Sequence, residues 1–177
     1  MTVTTGRPDS TLPGLATVEW LQARLLTSAG LEEGWTFDGS YADEPDPTPN
    51  PTDCPEFDSV FGLGAFVSVA ADFSSESGRL THTVRDVGDK EIATNVLDSV
   101  AAIPTSCPVI QDARGQWSVS AVAVPDGQAL VMRSDGVVLW IAVSHRDSVV
   151  STVELSSDIS EDEFVAVVAA VSAELHG

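Results

Sequence analysis

The sequence predicts an α+β fold: a mainly antiparallel sheet with a C-terminal four-strand meander, packed by two or three helices. Two observations carry this expectation. From Gly115 to Leu155 the chain reads as four consecutive strands separated by turn signals, and this stretch holds its densest apolar sequence. Apolar residues also recur at helical spacing, at Ile92, Val96, Leu97, Val100 and Ile103 and again at Phe164, Val167, Val168, Val171 and Leu175. With 177 residues and 43% hydrophobic content, the chain suits one domain with a full core.

The expected elements follow in order. Residues 1–14 are rich in Thr, Gly and Pro and read as a flexible leader, with a single domain over 15–177. Thr17 is placed to cap a short helix with Val18, Leu21 and Leu25 on one face and Gly30 as its stop. A solvated loop is expected from Asp38 to Asp53, because prolines at 45, 47, 49 and 51 forbid a helix. Its carboxylates at Asp43, Glu44, Asp46 and Asp53 lack the spacing of a calcium loop. Phe57 to Phe73 reads as a strand bent at Gly62 and Gly64, and Arg79 to Val87 as a second. Asp89 then caps a helix that Pro104 should end.

In the meander, turns are expected at Pro125-Asp126-Gly127, Asp135-Gly136 and His145-Arg146-Asp147. Alternation puts Val137, Leu139, Ile141 and Val143 on one face of the third strand, and Val138, Trp140 and Ala142 on the other. That strand is therefore expected to be central. Ser160-x-x-Glu163 forms a capping box ahead of the last helix. The summed layout places helices on one face of the sheet.

Charge narrows the partners. Eight Lys+Arg against 27 Asp+Glu give −19 at pH 7 and a pI near 4.1. Such a surface repels nucleic acid and anionic lipid headgroups, and is compatible with a basic protein partner or a cationic ligand. No run is long enough to span a membrane, and the start lacks a basic segment followed by an apolar one. Any membrane association is thus expected through an anchor missing from this chain.

Cys54 and Cys107 are each followed by proline and are too far apart for a C-x-x-C site. They read either as one disulfide or as two buried thiols. A disulfide implies an oxidising compartment, which favours an extracytoplasmic domain whose export signal is absent here.

No nucleophile elbow, S-x-x-K, H-E-x-x-H or phosphate-binding loop is present, so no catalytic residue, cofactor or metal site is expected. His82 reads as a solvent-facing strand residue, His145 as a turn residue and His176 as terminal, each structural or incidental. Trp35, Trp117 and Trp140 read as core residues or as walls of a ligand pocket. Arg133 reads as half of a buried ion pair or as the partner of an anionic ligand group.

The succession LLTSAGLEEGW (25–35), Cys54-Pro55, a helix leading into CPV (107–109), GQW (115–117) and ALVMRSDGVVLWIAVS (129–144) resembles an actinobacterial group of extracellular sensor domains and lipoproteins. That group includes the extracytoplasmic domain of PknH-type receptor serine/threonine kinases, and the likeness spans roughly Leu25 to Leu175. It implies an exported α+β domain, anchored through an N-terminal lipid or helix, whose groove binds a small molecule or envelope component without catalysis. This chain departs from the kinase domain in having one cysteine pair where that domain has two disulfides. The alternative function is an accessory subunit of a cell-envelope complex that meets its partner through the acidic surface.

Overall fold

The computed structural model describes residues 16–31, 33–42, 52–61 and 67–176. The leader expected over 1–14, the proline-rich 43–51 and the glycines at 62 and 64 lie outside them. The described elements run α1 (Val18–Gln22), a 3-10 turn (Ser28–Gly30), β1 (Thr36–Ala42), α2 (Pro55–Phe61), β2 (Val67–Ser74), β3 (Gly78–Asp86) and α3 (Lys90–Ser106). They continue with β4 (Val109–Asp112), β5 (Gly115–Val122), β6 (Gln128–Ser134), β7 (Val137–Arg146), β8 (Val149–Ser157) and α4 (Glu161–His176).

All eight strands join one antiparallel sheet in the order β1-β2-β3-β8-β7-β6-β5-β4. Strands β4 to β8 form a continuous meander that starts at one edge and returns to pair with β3, so α3 must carry the chain across a sheet face to reach that edge. The expected four strands all form. The fifth, β4, was missed because its four residues, Val109 to Asp112, are too short to show a period.

Period-two alternation feeds two cores. On one face Val69, Ala71, Phe73, Leu80, Val84, Trp140 and Leu155 pack against Leu21, Leu25 and Leu26 and against Phe164, Val168, Val171 and Leu175 of α4. On the other face Ile110, Trp117, Val119, Leu130, Met132, Ile141 and Val143 pack against Val96, Val100 and Ile103 of α3 and Val60 of α2. Helices therefore cover both faces, which corrects the one-sided expectation. The physical reason is already present in β7, where Trp140 and Ala142 need one cover and Ile141 and Val143 another.

The helix caps hold in detail, although α1 ends at Gln22, before the Leu25 and Gly30 expected in it and at its stop. Thr17 Oγ1 accepts from the Trp20 amide, and Asp89 Oδ1 from the Glu91 amide. At Ser160 the capping box closes both ways, with Glu163 Oε2 accepting from the Ser160 amide and the Glu163 amide donating to Ser160 Oγ. The Asp135-Gly136 turn shows the positive φ of a tight hairpin at both positions, 38° and 81°.

Several boundaries differ. Pro104 lies inside α3 rather than at its end, since helical bonding persists to the Cys107 amide, which donates to the Ile103 carbonyl. The last hairpin turns at Asp147, with φ 53°, after β7 has run through His145 and Arg146. Thr36–Ala42, expected to enter a loop by Asp38, is an edge strand whose backbone pairs with β2 although its side chains are mostly exposed. Phe57–Phe61, expected as the start of a strand, instead lies in α2 (Pro55–Phe61): proline sits at its first position, where its missing N–H costs nothing, and Phe57 and Phe61 share a face at i, i+4.

Cys54 and Cys107 form a disulfide with a Cα–Cα distance of 5.9 Å. It joins the residue preceding α2 to the residue following α3, and both sulfurs are buried in the second core.

Candidate ligand-binding cleft

Helix α3 crosses β5, β6 and β7, and the short α2 packs beside it. The same sheet face continues past this cover over one end of β3, β8 and β7. Between that open face and α2 lies a cleft of about 340 Å³. Phe57 and Phe61 of α2 form one wall, with ring centroids 4.4 Å apart and planes tilted by 40°. Leu139 and Ile141 of β7 supply the floor. Thr81 of β3 and Glu154 and Ser156 of β8 point to the same side by alternation and make a polar margin. Arg114, from the turn between β4 and β5, closes the mouth.

Arg114 is exposed but held. Asp112 Oδ1 accepts from the amides of Arg114 and Gly115, which builds the turn, and from the Trp117 indole Nε1 at 3.1 Å. Asp112 Oδ2 accepts from Arg114 Nε at 2.9 Å and lies 2.9 Å from its NH2. The guanidinium carbon stands 5.3 Å from the centre of the Trp117 ring. Burial pushes the Asp112 carboxyl up, but the hydrogen bonds from Trp117 and Arg114, with the Arg114 charge, outweigh it and hold the group below its ordinary value. One ionised carboxylate thus fixes both a cation at the cleft mouth and the indole behind it.

Chemically, the cleft offers an aromatic pair, an aliphatic floor, two hydroxyls and charges of both signs. It suits a ligand with an apolar body and a polar or anionic end. Among the described residues, no histidine or cysteine lines it.

The residues singled out in the sequence do not gather into one place. Trp117 is buried in the second core, one layer behind Arg114. Trp140 is buried in the first core on the opposite face, stacked on Phe164 at 5.1 Å, with its indole donating to the Ser157 carbonyl. Arg133 is exposed and lies 5.7 Å from the Trp140 ring, so these two are neighbours. Trp35 lines a separate pocket of about 340 Å³ with Leu31, Ile159, Glu163 and Val167. Phe57, Phe61 and Asp112 went unremarked as site residues in the sequence. The i, i+4 aromatic pair after a helix-opening proline, and the Asp-x-Arg-Gly turn, were the signals available.

His82 also departs from expectation. Rather than facing solvent, it is fully buried, with Nδ1 accepting from the Leu26 amide and Nε2 2.8 Å from Ser151 Oγ. Among the described residues, Cys54, Glu56 and Cys107 are the group whose ligand-type atoms come within 4.8 Å of one another, but both sulfurs are committed to the disulfide.

Neither a protein-family model nor a curated protein sequence matches the chain. Among solved structures, it is similar to the extracellular domain of PknH from Mycobacterium tuberculosis, with a TM-score of 0.69 at 15% sequence identity over 92% of this chain and 98% of that one. An uncharacterised protein from Mycobacterium smegmatis aligns with a TM-score of 0.47 at 13% identity, over 81% of this chain and 92% of that one. The chain shares the α+β fold of the PknH extracellular domain, as the resemblance implied.

Proposed function

We propose that this protein is a non-enzymatic, extracytoplasmic binding module that holds an amphipathic small molecule or envelope component in the cleft between α2 and the sheet. The observation that carries the reading is the cleft itself: an aromatic wall and aliphatic floor facing a pre-positioned Arg114. Holding Arg114 against Asp112 and Trp117 lowers the entropy cost of using it, which is how a site gains affinity by preorganisation. The buried disulfide and the shared fold with an extracellular domain support the extracytoplasmic part.

Titration with an anionic aromatic amphiphile, 1-anilinonaphthalene-8-sulfonate, tests the cleft. Saturable one-to-one binding is expected, weakened about tenfold or more in Arg114→Gln and in Phe57→Ser variants that keep the wild-type melting temperature. Equal binding by all three proteins would remove the cleft from consideration. It would shift weight to a basic protein partner on the acidic surface.

A further inference from the structure

The first core borders a second cavity of about 340 Å³ at one end of the sheet, on the opposite face from the cleft. Strand register builds it. Thr36 opposes Ser74 and Gly78 opposes Ser157, so Trp35, the β2–β3 turn and the segment entering α4 meet side by side. Ser157 Oγ donates to the Ser77 carbonyl at 2.8 Å and ties that turn to β8. Leu31, Trp35 and Ile159 are half-buried against the first core, and with Val167 of α4 they give the cavity an apolar lining.

Glu33, Glu76 and Glu163 stand around this lining, and among the described residues no Lys, Arg or His joins them. All three are exposed, and among the described residues none forms an ion pair. Glu163 Oε2 accepts from the Ser160 amide and from Ser160 Oγ, both at 2.7 Å. These bonds orient the carboxyl and hold it below its ordinary value. The positive end of α4 does not oppose a cation here, because Glu161, Asp162 and Glu163 already answer it.

Three carboxylates alone would be an ordinary solvated surface. The difference lies in the concave apolar lining and in the Trp35 ring, which attracts a cation through its quadrupole and packs against methylenes. A bare metal ion does not fit. Among the described residues, the oxygens of the three glutamates do not gather within 4.8 Å of one another. Separated carboxylates around an apolar space match positive groups joined by methylene segments.

We infer that this cavity is a binding site for a linear polyamine, separate from the α2 cleft. Its ammonium groups meet Glu33, Glu76 and Glu163, and its methylenes lie on Trp35, Leu31 and Ile159. The net charge of −19 draws such a ligand in at long range, so the affinity falls as salt rises.

Isothermal titration calorimetry of the full chain with spermidine, at fixed ionic strength, tests the site. The control cation is hexaamminecobalt(III), which carries the same charge without methylenes. Saturable one-to-one binding of spermidine is expected, about tenfold tighter than that of the control. Trp35→Leu and Glu76→Gln should each weaken it about fivefold or more. Glu91→Gln, which removes an exposed carboxylate from α3 on the other face, should leave it unchanged. Equal affinity for the two cations overturns the inference, as do equal losses in Glu76→Gln and Glu91→Gln, because the acidic surface as a whole would then be the binder. The comparison of cations uses the wild type, so it decides the matter even if Trp35→Leu fails to fold.

Discussion

The imidazole of His82 accepts the backbone N–H of Leu26 at Nδ1 across 2.8 Å, joining the middle of β3 to the segment that follows α1. Since Nδ1 is the acceptor, Nε2 carries the proton and donates to Ser151 Oγ at 2.8 Å. The neutral ring satisfies both bonds and the protonated ring cannot, because Nδ1 would then meet the Leu26 amide donor to donor.

Burial accordingly pushes the His82 pKa down from 6.5 to about 3. The unfolded chain then binds the extra proton first, so stability is full above about pH 6.5 and is lost as pH falls towards 3. The loss has a limiting slope of about 1.4 kcal/mol per pH unit for this one proton. Urea unfolding of the wild type and His82→Gln between pH 4 and 7 should show a flatter dependence in the variant by about one proton. Parallel curves would contradict the assignment.

The disulfide should matter to stability in proportion to the loop it closes. Cys54 and Cys107 are 53 positions apart, and a cross-link of that span stabilises by about 4 kcal/mol in the chain-entropy account. A Cys54→Ala/Cys107→Ala double variant, or the wild type unfolded in the presence of dithiothreitol, should lose most of that amount. Urea midpoints unchanged by reduction would count against it.

Two meander glycines should differ although both have positive φ. At Gly127, φ is 87°, and an added Cβ would run into the Val143 backbone carbonyl. At Gly136, φ is 81° and the space is open. Gly136→Ala should therefore cost only the left-handed conformation, about 1 kcal/mol, whereas Gly127→Ala should cost about 3 kcal/mol because backbone must also move. Thermal unfolding of the two variants side by side checks the order.

Elements whose signal is local were legible in advance. The caps at Thr17, Asp89 and Ser160, the Asp135-Gly136 turn and the apolar stripe of α4 are decided by residues within a few positions of one another, so the sequence determined them. The fold class and the meander followed from the same kind of pattern.

Tertiary structure decided the rest. β1 is strand because β2 offers its hydrogen bonds, not because Thr36 to Ala42 carries an apolar alternation. His82 is buried because two segments converge on it, and no local pattern distinguishes that from an exposed histidine on a strand. The cleft exists only where α2, β7, β8 and the Asp112–Gly115 turn come together: Asp112 and Trp117 hold Arg114 locally, but the aromatic wall and aliphatic floor it faces come from distant parts of the chain. Local periodicity fixes which way a side chain faces along its own element, while what it faces depends on contacts made across the whole chain.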